Sequence, residues 1–204
     1  LIDSYTHGLM KWDELKTTYG EKGEVFNLEF YRPLLEYARK HNIRVMGLSP
    51  PRNHLLKILN EGEPALTRMP YTLSKDHLKF WKLNHYENLP YILSSDPSFE
   101  WLKTKNPQNV LLMEAYKNMV MTQKMYNVLK TAPKERLYEG PPVIVSITNS
   151  VHVTFLNTMP MQLNKYIPEL RYRVVDVLAG LSENEITYKI LQPKTIPDYL
   201  VNVI

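Results

Sequence analysis

Apolar positions in this chain follow two spacings, and the spacings divide it into helices and strands. Phe30, Leu34, Leu35, Tyr37 and Ala38 recur near the helical period. They predict a helix running to about His41, capped at or near Asn27 and stopped by Asn42. Leu55, Leu56, Ile58 and Leu59 mark a second helix. It follows Ser49-Pro50-Pro51-Arg52, where proline suits a first helical turn, and ends at Gly62-Glu63-Pro64. The longest helical pattern covers residues 109–130, with Leu111, Leu112, Ala115, Met119, Met125 and Leu129 at compatible spacing, and Pro133 ends it. Shorter helical stretches are expected at 1–15, broken at Gly8, and at 75–86 and 160–167. Residues 17–23 read as turn. Apolar or β-branched runs at 43–48 and 143–148 predict strands, as do 171–177, which alternates polar and apolar, and 186–191. Residues 193–204 form a tail with enough apolar content to dock.

The order of these elements predicts an α/β fold. Helix–strand–helix followed by helix–strand implies βαβ crossovers and a largely parallel sheet flanked by helices. A helical subdomain over residues 71–131 and an antiparallel edge near the end complete a single domain spanning 1–204. Such a sheet usually holds more strands than are visible, so one or more strands are expected upstream of Leu1.

Composition narrows the chemistry. The chain has 204 residues and no cysteine, so disulfides, thiolate metal sites and cysteine nucleophiles are excluded. The net charge is +4, with 25 basic residues interleaved among 21 acidic ones, a pattern that argues against nucleic acid as a partner. No apolar run is long enough for a transmembrane helix. His77, Trp81 and His85 recur at helical spacing, but two histidines eight apart stand two turns apart, about 12 Å by rise. They do not share one metal easily, and with Phe80 and Tyr86 they read as an amphipathic face for a partner or a peripheral membrane contact.

Position singles out two places. In open α/β sheets, ligands sit beyond the carboxyl ends of the strands. His152 follows the 143–148 run, where an imidazole could bind a ligand or move a proton near neutral pH. It could equally hydrogen-bond the backbone and hold the turn. Asn149, just before it, tolerates the left-handed region, whereas β-branched Val151 does not. Ser49 and Arg52 lie past the 43–48 run and should face the same cleft. Arg52 opens a helix, where backbone N–H groups favour an anion and a guanidinium fork suits carboxylates. The competing reading is a surface pair with Glu61 or Glu63.

Several segments together resemble the ChaN-like haem-binding uptake family of the Tiki and erythromycin-esterase-like group. They are Asp3-x-Tyr5-x-x-Gly8 with Glu14-Leu15, residues 31–39, residues 43–52 and residues 57–66. Further along come Glu114-Ala115-Tyr116-Lys117-Asn118-Met119-Val120-Met121, the run from Val143 to Val153, and Thr158-Met159-Pro160-Met161-Gln162-Leu163. These cover most of the chain in the family's order. The sequence departs from the pattern at Asn149 and Val151, which replace two glycines before His152, and at Ser49, where asparagine is usual. The family's first strand, with a Gly-Glu-x-His-like motif, is expected upstream of Leu1.

The resemblance implies a binding protein for haem or a related planar tetrapyrrole, held in a cleft at the strand ends of one copy or between two copies. Arg52 would meet the propionates, and His152, Tyr116 or Met121 would supply or steady an axial ligand. It also implies that the helix face carrying Asn118 and Met121 borders the cleft, although the methionines of that helix read equally well as core filling. Tyrosinate can ligate haem iron, and Tyr116 is the most attractive of 14 tyrosines. The family is often extracytoplasmic or membrane-associated. Two alternatives stand beside this reading. One is a metal-dependent or esterase-like hydrolase using His152, although no Gly-x-Ser-x-Gly elbow is present. The other is a degenerate member serving as a structural subunit of a larger complex. The residues lean toward binding rather than catalysis.

Overall fold

The computed structural model describes residues 1–21, 27–72, 102–131, 143–148, 159–171, 175–179 and 199–203. They fall into two units, Leu1–Leu48 and Ser49–Ile204.

The first unit is built from short helices. Helix α1 (Ile2–Thr6) ends where Gly8 turns with φ 76°, a conformation that glycine adopts without steric cost. Helix α2 (Trp12–Glu21) follows and runs through most of the stretch read as turn. The Asn27 side chain accepts from the Glu29 backbone N–H and caps a 3₁₀ turn, Leu28–Tyr31. Helix α3 (Arg32–Lys40) continues from it, with Pro33 in its first turn and Arg39 and Lys40 in its last, where cations suit the helix dipole. Asn42, at φ 52°, ends it as expected. Tyr5, Trp12, Leu15, Leu28 and Leu35 form the core, with Val45 packed against them. Tyr5 and Trp12 meet edge to face at 5.4 Å. Arg32 lies over the Trp12 ring and Arg39 over the Tyr5 ring, each at 5.1 Å.

The second unit centres on one long helix. Helix α4 (Arg52–Glu61) starts directly after Pro51. Gly62, with φ 71° and ψ −144°, turns the chain into the short α5 (Glu63–Leu66). Helix α6 (Pro107–Thr131) packs against α4 and against α7 (Met159–Tyr166). Most of α6 up to Met125 is buried around its circumference, which is why its pattern shows little amphipathicity. Ile58, Leu59, Leu66, Met69, Leu102, Val110, Leu111, Tyr116, Met119 and Val120 make the core. Asn109 Nδ2 donates to the Leu59 carbonyl at 3.0 Å and ties the start of α6 to the end of α4.

Among the described residues, the expected largely parallel sheet flanked by helices is not formed. Helices dominate the described residues, and the strands among them are β1 (Val175–Ala179) and β2 (Tyr199–Val203). They pair in parallel, from Val175 opposite Tyr199 to Ala179 opposite Val203. The antiparallel edge is therefore corrected to a two-stranded parallel ladder that takes in part of the 171–177 run and part of the tail. Residues 43–48 and 143–148 are not assigned to strand and join no ladder among the described residues. In the latter, Val143 and Val145 are 83% and 82% exposed while Ile144 and Ser146 are half-buried. The period-two alternation survives, but among the described residues no neighbour completes the backbone hydrogen bonds that make extended chain a strand. The expected helix at 75–86 and the strand at 186–191 lie outside the described residues. The helical subdomain at 71–131 is described at 71–72 and 102–131 alone.

Candidate functional site

Helix α6 presents one face to a groove. At about 100° per residue, Met119, Gln123, Tyr126, Asn127 and Lys130 fall within a wedge of about 100°. Met119, Gln123 and Asn127 line a groove of about 530 Å³, completed by Pro70, Tyr71 and Thr72 on one side and Tyr166, at the end of α7, on the other. That volume lies within the range of small-molecule sites, roughly 300–1,000 Å³. The lining is mixed, with two phenol rings, a proline, a thioether and two amides. Gln123 Nε2 donates to Asn127 Oδ1 at 3.1 Å, so the amides form a linked polar strip. The Tyr126 ring packs beside Tyr166 with centroids 5.4 Å apart and planes tilted by 41°, and Lys130 Nζ stands 5.8 Å from the Tyr126 centroid. Such a lining can hold a flat, partly apolar molecule with hydrogen-bonding groups at its edge.

Tyr116 lies on this face one turn earlier, but inside the core, with 0% of its surface exposed. Its hydroxyl has no hydrogen-bond partner among the described residues. Burial pushes its pKa above the ordinary tyrosine value. The Tyr71 backbone opposes the rise without reaching hydrogen-bond geometry, and the Tyr71 phenol adds to it. A phenolate at Tyr116 is thus disfavoured on both counts.

Asn118 and Met121 share a face, as their spacing implies, but it is turned from the groove and buried. Asn118 Nδ2 donates to the Glu114 carbonyl at 3.0 Å. Thr122 Oγ1 donates to the Asn118 carbonyl at 2.8 Å and meets Gln162 Oε1 at 3.4 Å. Glu114, Asn118, Thr122 and Gln162 thus make a buried polar seam between α6 and α7. Ser49 and Arg52 are exposed at the entrance to α4. The Ser49 carbonyl accepts from Lys124 Nζ at 2.9 Å, and Ser49 Oγ donates to the Pro50 carbonyl at 3.3 Å. Burial holds the Lys124 ammonium below its usual pKa. Glu61, one of the two carboxylates weighed as a partner for Arg52, pairs with Arg68. His152 and Asn149 lie outside the described residues.

The structure thus brings Ser49 to Lys124, and buries Tyr116, Asn118 and Met121. Sequence reasoning missed Tyr71, Gln123, Asn127 and Tyr166. The 3-4-4 spacing of Tyr116, Met119, Gln123 and Asn127 was the available signal. Among the described residues, no group of three or more His, Asp or Glu could hold a metal ion, and no helix is long and apolar enough to cross a membrane.

None of the curated proteins and none of the solved structures matches the chain at a significant level. A family model does match, over residues 1–163, and its description is haem-binding uptake, Tiki superfamily, ChaN. With most of its length inside that match, the chain belongs to the ChaN family of haem-binding uptake proteins in the Tiki superfamily.

Proposed function

We propose that the protein binds haem or a closely related tetrapyrrole in the groove along α6. The observation that carries this reading is the groove itself, about 530 Å³ in volume and lined by Tyr71, Tyr166, Pro70 and Met119, in a member of a haem-binding family. The residues fit the group. Phenol rings and a proline give flat apolar contact to a macrocycle, and the Gln123–Asn127 strip gives a polar edge. When bound, haem supplies an iron that accepts phenolate, imidazole or thioether ligands. The lining offers such donors in Tyr71, Tyr166 and Met119. Buried Tyr116 supports the wall behind Tyr71 rather than facing the ligand. The cleft at the carboxyl ends of a parallel sheet gives way to this groove between helices.

The test is a hemin titration of the full chain, followed through the Soret band. The expected result is a saturable shift in the unaltered protein and at least a tenfold loss of affinity in Gln123→Trp, whose bulk occupies the groove. The same titration with His152→Ala decides whether the imidazole adds to the site. No saturable shift in the unaltered protein overturns the reading. Unchanged affinity in a folded Gln123→Trp protein overturns the groove as its location.

A further inference from the structure

A planar tetrapyrrole of the haem type carries carboxylates, and the groove lining contains no cation among the described residues. A dianionic ligand in such a site gains from a positive group at its edge, because a charge-assisted hydrogen bond is about twice as strong as a neutral one. Lys124 is not among the lining residues and donates to the Ser49 carbonyl. Lys130 is placed differently. It lies in the same wedge of α6 as Met119, Gln123 and Asn127, one turn past Tyr126. Side chains on a helix lean toward its N-terminus, which for Lys130 means back toward the groove. The position of Nζ over the Tyr126 ring agrees, and Tyr126 packs against Tyr166 of the groove wall. Lysine, tyrosine and tyrosine thus form a ladder from the solvent to the lining. The rise from Met119 to Lys130 is about 16 Å, so the ammonium stands at the far end of the groove rather than over its middle.

We infer that Lys130 receives the carboxylate edge of the ligand, which orients the macrocycle along α6 and makes the site selective for carboxylate-bearing tetrapyrroles. This rests on the reading of the groove as the haem site. Tyr71 and Tyr166 would give the macrocycle flat contact, and the amides of Gln123 and Asn127 would offer hydrogen bonds beside its carboxylate edge. An exposed lysine needs little rearrangement to leave the Tyr126 face for a carboxylate, since a cation–π contact at an exposed site is weak.

The experiment compares hemin with hemin dimethyl ester, in which both carboxylates are masked, under one dilute detergent condition and with the full chain. Soret titrations are run on the unaltered protein, Lys130→Met and Lys130→Arg, with far-UV circular dichroism confirming each fold. The unaltered protein is expected to prefer hemin about tenfold. Lys130→Met should abolish that preference by weakening hemin alone, and Lys130→Arg should restore it. Equal hemin affinity in Lys130→Met and the unaltered protein overturns the inference while leaving the haem reading intact. So does an equal loss for hemin and ester. Binding of neither ligand by the unaltered protein overturns both.

Discussion

Replacing Tyr116 with phenylalanine should stabilise this protein. The side chain is fully buried and its hydroxyl has no partner among the described residues. An unsatisfied buried polar group costs about 1–3 kcal/mol. The substitution keeps the ring and its packing against the core, and removes one oxygen. The void left by that oxygen costs a few tenths of a kcal/mol, at about 24 cal/mol per Å³. The net expectation is a gain of about 1 kcal/mol, or about 2–4 °C in melting temperature for a chain of this size. The gain should grow at alkaline pH. Because burial raises the pKa of Tyr116 in the folded state, the unfolded chain loses its proton first. Stability is then lost as pH rises through the unfolded value near 10 and toward the folded one, and phenylalanine removes that loss. Urea unfolding followed by circular dichroism at pH 7 and pH 10.5 measures both effects, and the hemin titration should remain saturable. A loss of 1 kcal/mol or more at pH 7 would refute the reasoning, since it would mean that the hydroxyl has a partner. Loss of hemin binding in a stable Tyr116→Phe protein would refute the placement of this phenol behind the groove wall.

Other perturbations follow from the same geometry. Gly62→Ala should cost about 1–3 kcal/mol by urea unfolding, because φ is 71° and the new Cβ would lie 2.7 Å from Asn109 Oδ1. Gly20→Ala, inside α2 with open space around it, should instead gain about 0.5–1 kcal/mol in the same assay. Asn109→Ala removes the donor to the Leu59 carbonyl and should lower stability by about 1 kcal/mol, again read from the urea midpoint. Glu29 accepts from Lys16 at 2.8 Å and from Trp12 Nε1 at 3.2 Å, and these contacts, with Arg32 beyond them, hold its carboxyl below the ordinary value. The stability they give is present above pH 4.5 and fades as pH falls through the lower folded value. Thermal unfolding between pH 7 and pH 3 should therefore show a shallower acid loss in Glu29→Gln than in the unaltered protein.

Helices were legible because their signals are local. Asn27 caps, Asn42 stops, Gly62 and Pro64 punctuate, and the apolar spacing of α6 marks its course to within two residues at either end. The sheet was misread because a strand is defined by its neighbours. Residues 43–48 and 143–148 have strand composition, yet no ladder forms on either among the described residues. The parallel register of β1 with β2 joins segments some twenty residues apart through chain that carries no short-range hairpin signal. The groove was half legible. Its α6 face can be read from spacing, but its other walls, Pro70–Tyr71–Thr72 and Tyr166, come from segments remote in sequence. Tyr116, Asn118 and Met121 have the residue types that haem chemistry uses, and nothing in their spacing distinguishes a ligand from core. The family was legible because the ordered set of motifs outweighs any single one of them.

The central claim is that the haem site is the groove along α6. Methionine-methyl NMR tests it most directly, since the chain has nine methionines and Met119 is the one in the groove lining among the described residues. With one equivalent of hemin, the paramagnetic iron should broaden the Met119 methyl signal beyond detection, while diamagnetic gallium protoporphyrin should shift it without broadening. A Met119 signal that stays sharp and unmoved while the Soret band reports saturated binding would place the ligand elsewhere and contradict the account.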